Sequence, residues 1–100
     1  MKKQNQLIID EDFRDLVPGY IERRRAELET VKEFVSKNDF AYLKRLSHDW
    51  HGTGESYGIP FVSRIGEKMN RAANAGDGRE ILTLVEQLRT YLDTVNIRYE

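Results

Sequence analysis

The sequence predicts an all-α protein, an antiparallel four-helix bundle with a short additional N-terminal helix. Apolar residues recur at helical spacing in four long segments. Capping residues, prolines and glycines stand between these segments and leave only short turns. No segment alternates apolar and polar residues with a period of two over a useful length, so no sheet is expected. Long amphipathic helices joined by short turns favour an antiparallel bundle.

The composition bounds the class of protein. The chain has 100 residues, of which 39% are hydrophobic and 33% charged, as in a single soluble domain. A formal net charge of -1 argues against a dedicated nucleic-acid binder. The absence of cysteine excludes disulfides, thiolate metal sites and a cysteine nucleophile. The apolar run at residues 7–9 is too short for a signal-peptide core or a membrane span, so we expect a cytoplasmic protein with no membrane role.

Residues 1–9 are predicted to be a tail, and residues 10–100 the helical domain. Asp10 and the two acids after it favour the start of the short first helix. Pro18 suits the first turn of the next helix. The apolar stripe of that helix has a gap filled by Arg24, and its members are Val17, Tyr20, Ile21, Leu28, Val31, Phe34 and Val35.

The run of three arginines at residues 23–25 is interpreted as part of a solvated helix face. Glu22, Glu27 and Glu29 lie close enough in sequence to balance these charges. A partner-binding site is the less favoured alternative for this run.

The next helix contains both histidines. Asn38 marks the end of the preceding helix, and Asp39 is the predicted N-cap. One side is predicted to pack, and it carries Phe40, Leu43, Leu46, Ser47, Trp50, Gly54 and Tyr57. The other side is predicted to face solvent, and it carries Ala41, Lys44, His48, Gly52 and Glu55, with His51 at the edge between the two.

Local signals also delimit the last two helices. Gly58, Ile59 and Pro60 end one helix and open the next, in which Gly66 suggests a close helix contact. Gly76 is expected just past the end of that helix, and Asp77 is expected to cap the last one, in a capping box with Glu80. The final apolar stripe comprises Ile81, Leu84, Val85, Leu88, Tyr91, Leu92 and Val95.

His48 is the best candidate for a reactive group. A neutral imidazole is a nucleophile, and on a rigid helix facing solvent it can accept a phosphoryl group from a partner's acyl phosphate. Gly52, one turn on, leaves the surface bare for the partner's loops. Lys44 and His51 lie within one turn and can donate to the phosphoryl oxygens.

Residues 48–58 resemble the histidine-containing phosphotransfer (HPt) domain of bacterial phosphorelays. The family pattern is His-x-x-Lys-Gly, five variable residues and a second glycine, and His48, Gly52 and Gly58 stand at the matching places. His51 stands where the family usually has lysine. The resemblance covers about residues 12–96, and it is also carried by residues 16–20, the arginines at 23–25, the turn at 38–39, and residues 72–73 before 76–77.

The resemblance implies a phosphocarrier rather than an enzyme. His48 would be the phosphoacceptor, with His51 and Lys44 beside the phosphoryl group, and Lys44, Gly52 and Glu55 at the partner-binding surface. The partners would be response-regulator receiver domains, a hybrid histidine kinase, or both, and any Mg²⁺ would belong to the receiver. This chain would hold no cofactor or metal of its own and would be a monomer, as single-domain members of the family often are.

Three other interpretations remain open. The bundle could be an HPt-like adaptor that binds a receiver or kinase domain without being phosphorylated, because His51 replaces the usual lysine. His48 and His51 could hold a metal ion, although a site needs three or four ligands. A lone exposed histidine is also often only a surface residue.

Overall fold

The structure is a computed structural model that describes residues 6–100. Within this range the protein is mostly helical. The four α-helices are α1 (Val17–Ser36), α2 (Phe40–Thr53), α3 (Pro60–Asn74) and α4 (Gly78–Thr94). Two short strands, β1 (Gln6–Ile9) and β2 (Asn96–Tyr99), lie near the two ends of the chain. No helix in residues 6–100 combines the length and the apolar character needed to cross a membrane.

The helix boundaries follow the local signals in the sequence. Asp39 caps α2 by accepting a hydrogen bond from the Tyr42 main-chain nitrogen at 3.1 Å. Asp77 caps α4 by accepting from the Glu80 nitrogen at 3.0 Å. Pro18 and Pro60 stand in the first turns of α1 and α3, where the missing N–H is not needed. These four predictions are confirmed.

One hydrophobic core joins all four helices. Val17, Trp50 and Leu88 are among its fully buried members. It continues into the strands through Ile9, which is 2% exposed. The apolar stripes predicted for the helices supply most of the core, which otherwise includes Tyr20, Leu28, Val31, Leu43, Leu46, Ile59, Val62, Ile65, Met69, Ala72, Ala73, Ile81, Leu84, Val85 and Leu92.

The prediction that the chain contains no sheet is wrong. β1 pairs in parallel with β2, from Gln6 opposite Asn96 to Ile9 opposite Tyr99. The expected tail at residues 1–9 is therefore a strand from residue 6 onward, and residues 1–5 lie outside the described range. Each strand has only four residues, which is too short for a two-residue period to stand out from chance.

Two helices are shorter than predicted. The extra N-terminal helix is a single turn of 3-10 helix at Glu11–Phe13, where Asp10 accepts from the Asp12 nitrogen. The helix that carries both histidines ends at Thr53, and a separate 3-10 turn follows at Glu55–Tyr57. Gly54 stands between the two, close to Ser63 of α3.

Candidate functional site

His48 lies on the exposed side of α2. Leu43, Leu46, Ser47 and Trp50 are buried against the other helices, whereas His48 faces solvent as the helical period predicted. The helix therefore presents the imidazole on a fixed backbone rather than on a loop.

Three of the other predicted site residues lie within about one helical turn of His48, and the fourth lies beyond the end of the helix. Lys44, His51, Gly52 and Glu55 are all exposed. Lys44, His51 and Gly52 stand four residues before, three after and four after His48 in a continuous helix, so all three are its surface neighbours. Glu55 belongs to the 3-10 turn beyond the end of α2.

The side chains of this surface are not engaged elsewhere in the fold. The hydrogen bonds at Lys44, His51 and Glu55 use main-chain atoms. Within residues 6–100, the side chains of Lys44, His48, His51 and Glu55 themselves make no hydrogen bond or ion pair. Their donors and acceptors are thus available to a molecule that approaches from outside.

Gly52 has no packing role in the fold. A Cβ added at this position would meet no heavy atom within 4 Å. The residue is exposed in the last turn of α2, one residue before the helix ends, where glycine costs less than the roughly 1 kcal/mol of a helix interior. Neither core packing nor an unusual backbone angle explains its presence, and its effect is to leave the helix surface bare beside His48.

Gly54 and Gly66, by contrast, allow α2 and α3 to touch. A Cβ at Gly54 would lie 2.5 Å from the Ser63 main-chain nitrogen. A Cβ at Gly66 would lie 2.6 Å from the His51 nitrogen and 2.8 Å from the Ser47 oxygen. Both positions require glycine for close approach, which confirms the packing roles predicted for them.

A buried serine completes the end of α2. Ser63 donates a hydrogen bond from its hydroxyl to the His51 carbonyl at 2.9 Å and accepts one from the Glu55 nitrogen at 2.8 Å. Deeper along the same interface, Asn70 donates to the Ser47 hydroxyl at 3.2 Å. Because the last carbonyls of a helix have no partner within it, Ser63 replaces a missing helical bond and fixes the turn that carries His51.

β1 supports the same end of α2 from another direction. Gly58 has a φ of 83°, in the left-handed region that favours glycine. A Cβ at Gly58 would lie 3.2 Å from Cγ2 of Ile9. The segment predicted to be a tail therefore packs over the turn that follows the histidine-bearing helix.

The sequence interpretation missed a polar cluster between α1 and α2. Arg24 was assigned with its neighbours to a solvated face, but it is 2% exposed. Its Nε lies 2.8 Å from Glu27 and its Nη1 lies 3.8 Å from Asp49, the residue after His48. The available signal was the place of Arg24 inside the apolar stripe, which outweighs the solvated appearance of a three-arginine run.

Two aromatic residues make further polar contacts between α1 and the segment that carries the histidines. Trp50 donates from its indole nitrogen to Glu27 at 2.7 Å. Tyr20 stacks on Tyr57 with ring centroids 4.4 Å apart, and its hydroxyl lies 2.8 Å from that of Thr53. The sequence placed Trp50 in the core, which is confirmed, but did not predict its partner.

A surface groove lies elsewhere on the described residues. It encloses about 890 Å³ and is lined mainly by α4, with Leu82, Tyr91 and the α3 residue Phe61 among its apolar members. None of the predicted site residues lines it. His48 is instead exposed on the side of a helix and outside this groove, which suits contact with a macromolecule better than enclosure of a small ligand.

The two histidines lack further ligands for a metal ion. Among the side chains of residues 6–100, no group of three or more His, Cys, Asp or Glu is placed to hold one. The comparisons add no relative: none of the protein-family models, curated proteins or solved structures searched matches this chain.

Proposed function

We propose that this protein is a histidine phosphotransfer protein that carries a phosphoryl group on His48 between receiver-domain aspartates of a phosphorelay. One observation carries the proposal: His48 and Gly52 lie one turn apart on the exposed surface of α2, and nothing in the fold explains the glycine. A phosphoryl group on His48 needs a partner's active site to close around it, and a bare helix surface permits that approach.

In the proposed reaction, an imidazole nitrogen of His48 attacks the phosphorus of a receiver's aspartyl phosphate. The nitrogen–phosphorus bond forms as the acyl phosphate oxygen–phosphorus bond breaks, and the receiver's carboxylate leaves. The return step reverses these changes. The partner supplies Mg²⁺ and the acidic pocket, so this chain acts as a phosphocarrier and its own residues only present and orient the imidazole.

The helix contacts support an antiparallel four-helix bundle as the scaffold. In α2 and α3, His51 contacts Ser63 while the earlier Ser47 contacts the later Asn70. In α1 and α4, ion pairs join residue 25 to 93, residue 29 to 89 and residue 32 to 86. In both helix pairs, residues later in one helix contact residues earlier in the other, as antiparallel helices require.

The phosphoryl group would meet a mixed set of neighbours. Lys44 offers a permanent cation one turn before His48, and His51 offers a ring nitrogen three residues after it. Lys44, Gly52 and Glu55 would form the contact surface for the receiver. We place this activity in the cytoplasm, where receiver domains act. We expect a monomer, as single-domain members of the family that the chain resembles often are.

A second candidate function is an adaptor that binds a receiver or kinase domain without accepting phosphate. His51 favours it, because this position usually carries lysine in the HPt family that the chain resembles. The adaptor predicts receiver binding that survives His48→Ala and no acid-labile phosphate on the protein.

Transfer from phosphorylated receivers separates the two functions. The wild-type protein and His48→Gln would each be incubated with the host's receivers carrying labelled aspartyl phosphate. The proposal predicts acid-labile label on the wild type and none on His48→Gln, while His51→Gln, the matched histidine control, still accepts label. If no receiver labels the wild type, the phosphocarrier proposal fails.

A further inference from the structure

Arg24 is a buried charge whose position the core does not explain. Its side chain is 2% exposed, and its Nη2 donates to Glu27 at 3.2 Å. Its Nε lies within ion-pair distance of the same carboxylate but has no aligned hydrogen bond. The guanidinium carbon also lies 4.4 Å from the Tyr20 ring centroid. Because an apolar residue often stabilises such a site as well as a buried ion pair does, stability alone does not account for Arg24.

This arginine contacts the residue that follows His48 and is linked through Glu27 to the next one. Its Nη1 lies 3.8 Å from the carboxylate of Asp49, whose side chain is 53% exposed. Its partner Glu27 accepts the indole hydrogen bond of Trp50. The contact with Asp49 is therefore a charge contact between α1 and the residue next to the proposed phosphoacceptor.

The charge of Asp49 is unfavourable for a phosphoryl group on His48. A phosphorylated side chain carries about -1.5 to -2 charges at neutral pH. Coulomb repulsion between such a group and the carboxylate of the adjacent residue is on the order of 1 kcal/mol in water, or about fivefold in a rate or equilibrium. A cation that holds and offsets this carboxylate removes part of that cost.

We propose that Arg24 is a positioning residue for phosphorylation of His48: it holds the Asp49 carboxylate on the α1 side of the helix and offsets its charge. The inference rests on the proposed function, since it concerns the phosphoryl group on His48. Arg24 itself is too deeply buried to touch that group, so it acts through Asp49.

A double-mutant cycle tests the inference at low salt, with phosphoramidate as the phosphoryl donor and the initial rate of phosphohistidine formation as the readout. Arg24→Met lowers the rate about threefold to fivefold. Adding Asp49→Asn to that variant restores the rate to within about twofold of Asp49→Asn alone. Arg25→Met is the matched control, because Arg25 pairs with Asp93 on α4, and it leaves the rate unchanged.

Asp49→Asn alone provides a second readout. It raises the rate of phosphohistidine formation above the wild-type rate, because it removes the charge that repels the phosphoryl group. Because the Asp49 side chain is half exposed, the Asp49→Asn variant is expected to fold. It therefore tests the inference even if the Arg24→Met variant does not fold.

The outcomes separate this inference from the proposed function. If wild-type His48 accepts no phosphoryl group from phosphoramidate or from any receiver, the proposed function fails. A wild type that is phosphorylated while Asp49→Asn leaves the rate unchanged overturns the inference alone. So does a loss in Arg24→Met that Asp49→Asn fails to restore, since Arg24 would then serve only the structure.

Discussion

Gly66 of α3 lies directly against the main chain of His51 in α2. A Cβ at Gly66 would sit 2.6 Å from the His51 nitrogen, closer than real Cβ contacts allow. The side chain of His51 is nevertheless exposed. The main chain of this turn of α2 therefore packs closely against α3, while its histidine side chain faces solvent.

Gly66→Ala is expected to force α2 and α3 apart and to destabilise the fold. The added methyl meets main-chain atoms, which cannot rotate away, so the free energy of unfolding falls by about 2 kcal/mol or more. Urea denaturation measures this loss. Gly19→Ala is the control, because a Cβ at Gly19 meets nothing within 4 Å, and it is expected to change stability by less than about 0.5 kcal/mol or to raise it slightly. Equal losses in the two variants would contradict the close contact.

Substitutions at Gly52 are expected to separate stability from function. Gly52→Ala raises the free energy of unfolding by up to about 0.5 kcal/mol, because alanine suits the last turn of a helix better than glycine and the site has space for it. Gly52→Gln folds equally well but covers the surface beside His48, so transfer from a phosphorylated receiver falls at least about tenfold, a loss worth 1.4 kcal/mol. Thermal unfolding and transfer assays on the same samples measure both effects. Normal transfer by Gly52→Gln would argue against partner approach over this surface.

His51→Lys is expected to favour the phosphorylated form of His48. A lysine ammonium is always charged at neutral pH and can reach phosphoryl oxygens one turn away, whereas an imidazole is shorter and carries a full charge only at lower pH. The fraction of label on His48 at equilibrium with a receiver should rise about threefold, as expected for a surface charge contact of up to about 1 kcal/mol. The gain should shrink at high salt. A gain that persists in 0.5 M salt would indicate a packing effect instead.

How much of this site the sequence predicts depends on the range of the interactions involved. The caps at Asp39 and Asp77 and the exposed face of His48 follow from local spacing, and the structure confirms them. The burial of Arg24 depends on Glu27 in its own helix and Asp49 in the next, and nothing in a run of arginines reveals that pairing. Roles that depend on a partner, including that of His48 itself, remain predictions.

The two strands show the same limit. β1 and β2 are separated in sequence by the whole helical domain, and each has only four residues. Their pairing depends on where the ends of α1 and α4 bring the chain, which no local pattern encodes. Gly58 was recognised by its place in the HPt-like motif, but its contact with Ile9 was not predictable from that motif.

Two adjacent residues of β1 provide a matched test of how this strand packs on the helices. Ile9 is 2% exposed and packs on Gly58, whereas Ile8 is 61% exposed on the opposite side of the strand. Ile9→Ala is expected to lower the free energy of unfolding by about 3 kcal/mol through lost burial and a cavity. Ile8→Ala should change it by less than about 0.5 kcal/mol. Urea denaturation of the two variants checks this, and similar effects from both would contradict the strand placement.

An ion pair between α1 and α4 should give the fold a measurable acid dependence. The Arg89 guanidinium, which donates to Glu29 at 2.8 Å, and the nearby Lys32 hold the pKa of the Glu29 carboxyl below its usual value. A carboxyl whose pKa is lowered on folding contributes stability that is present above its unfolded pKa and is lost as the pH falls through its folded pKa. Glu29→Gln should therefore lower the melting temperature slightly at pH 7 but not below about pH 3, where both proteins carry a neutral side chain. Because these groups are exposed, 0.5 M salt should reduce the difference at pH 7. A difference in melting temperature that stays constant from pH 7 to pH 3 would show that Gln acts through packing rather than through loss of the charge.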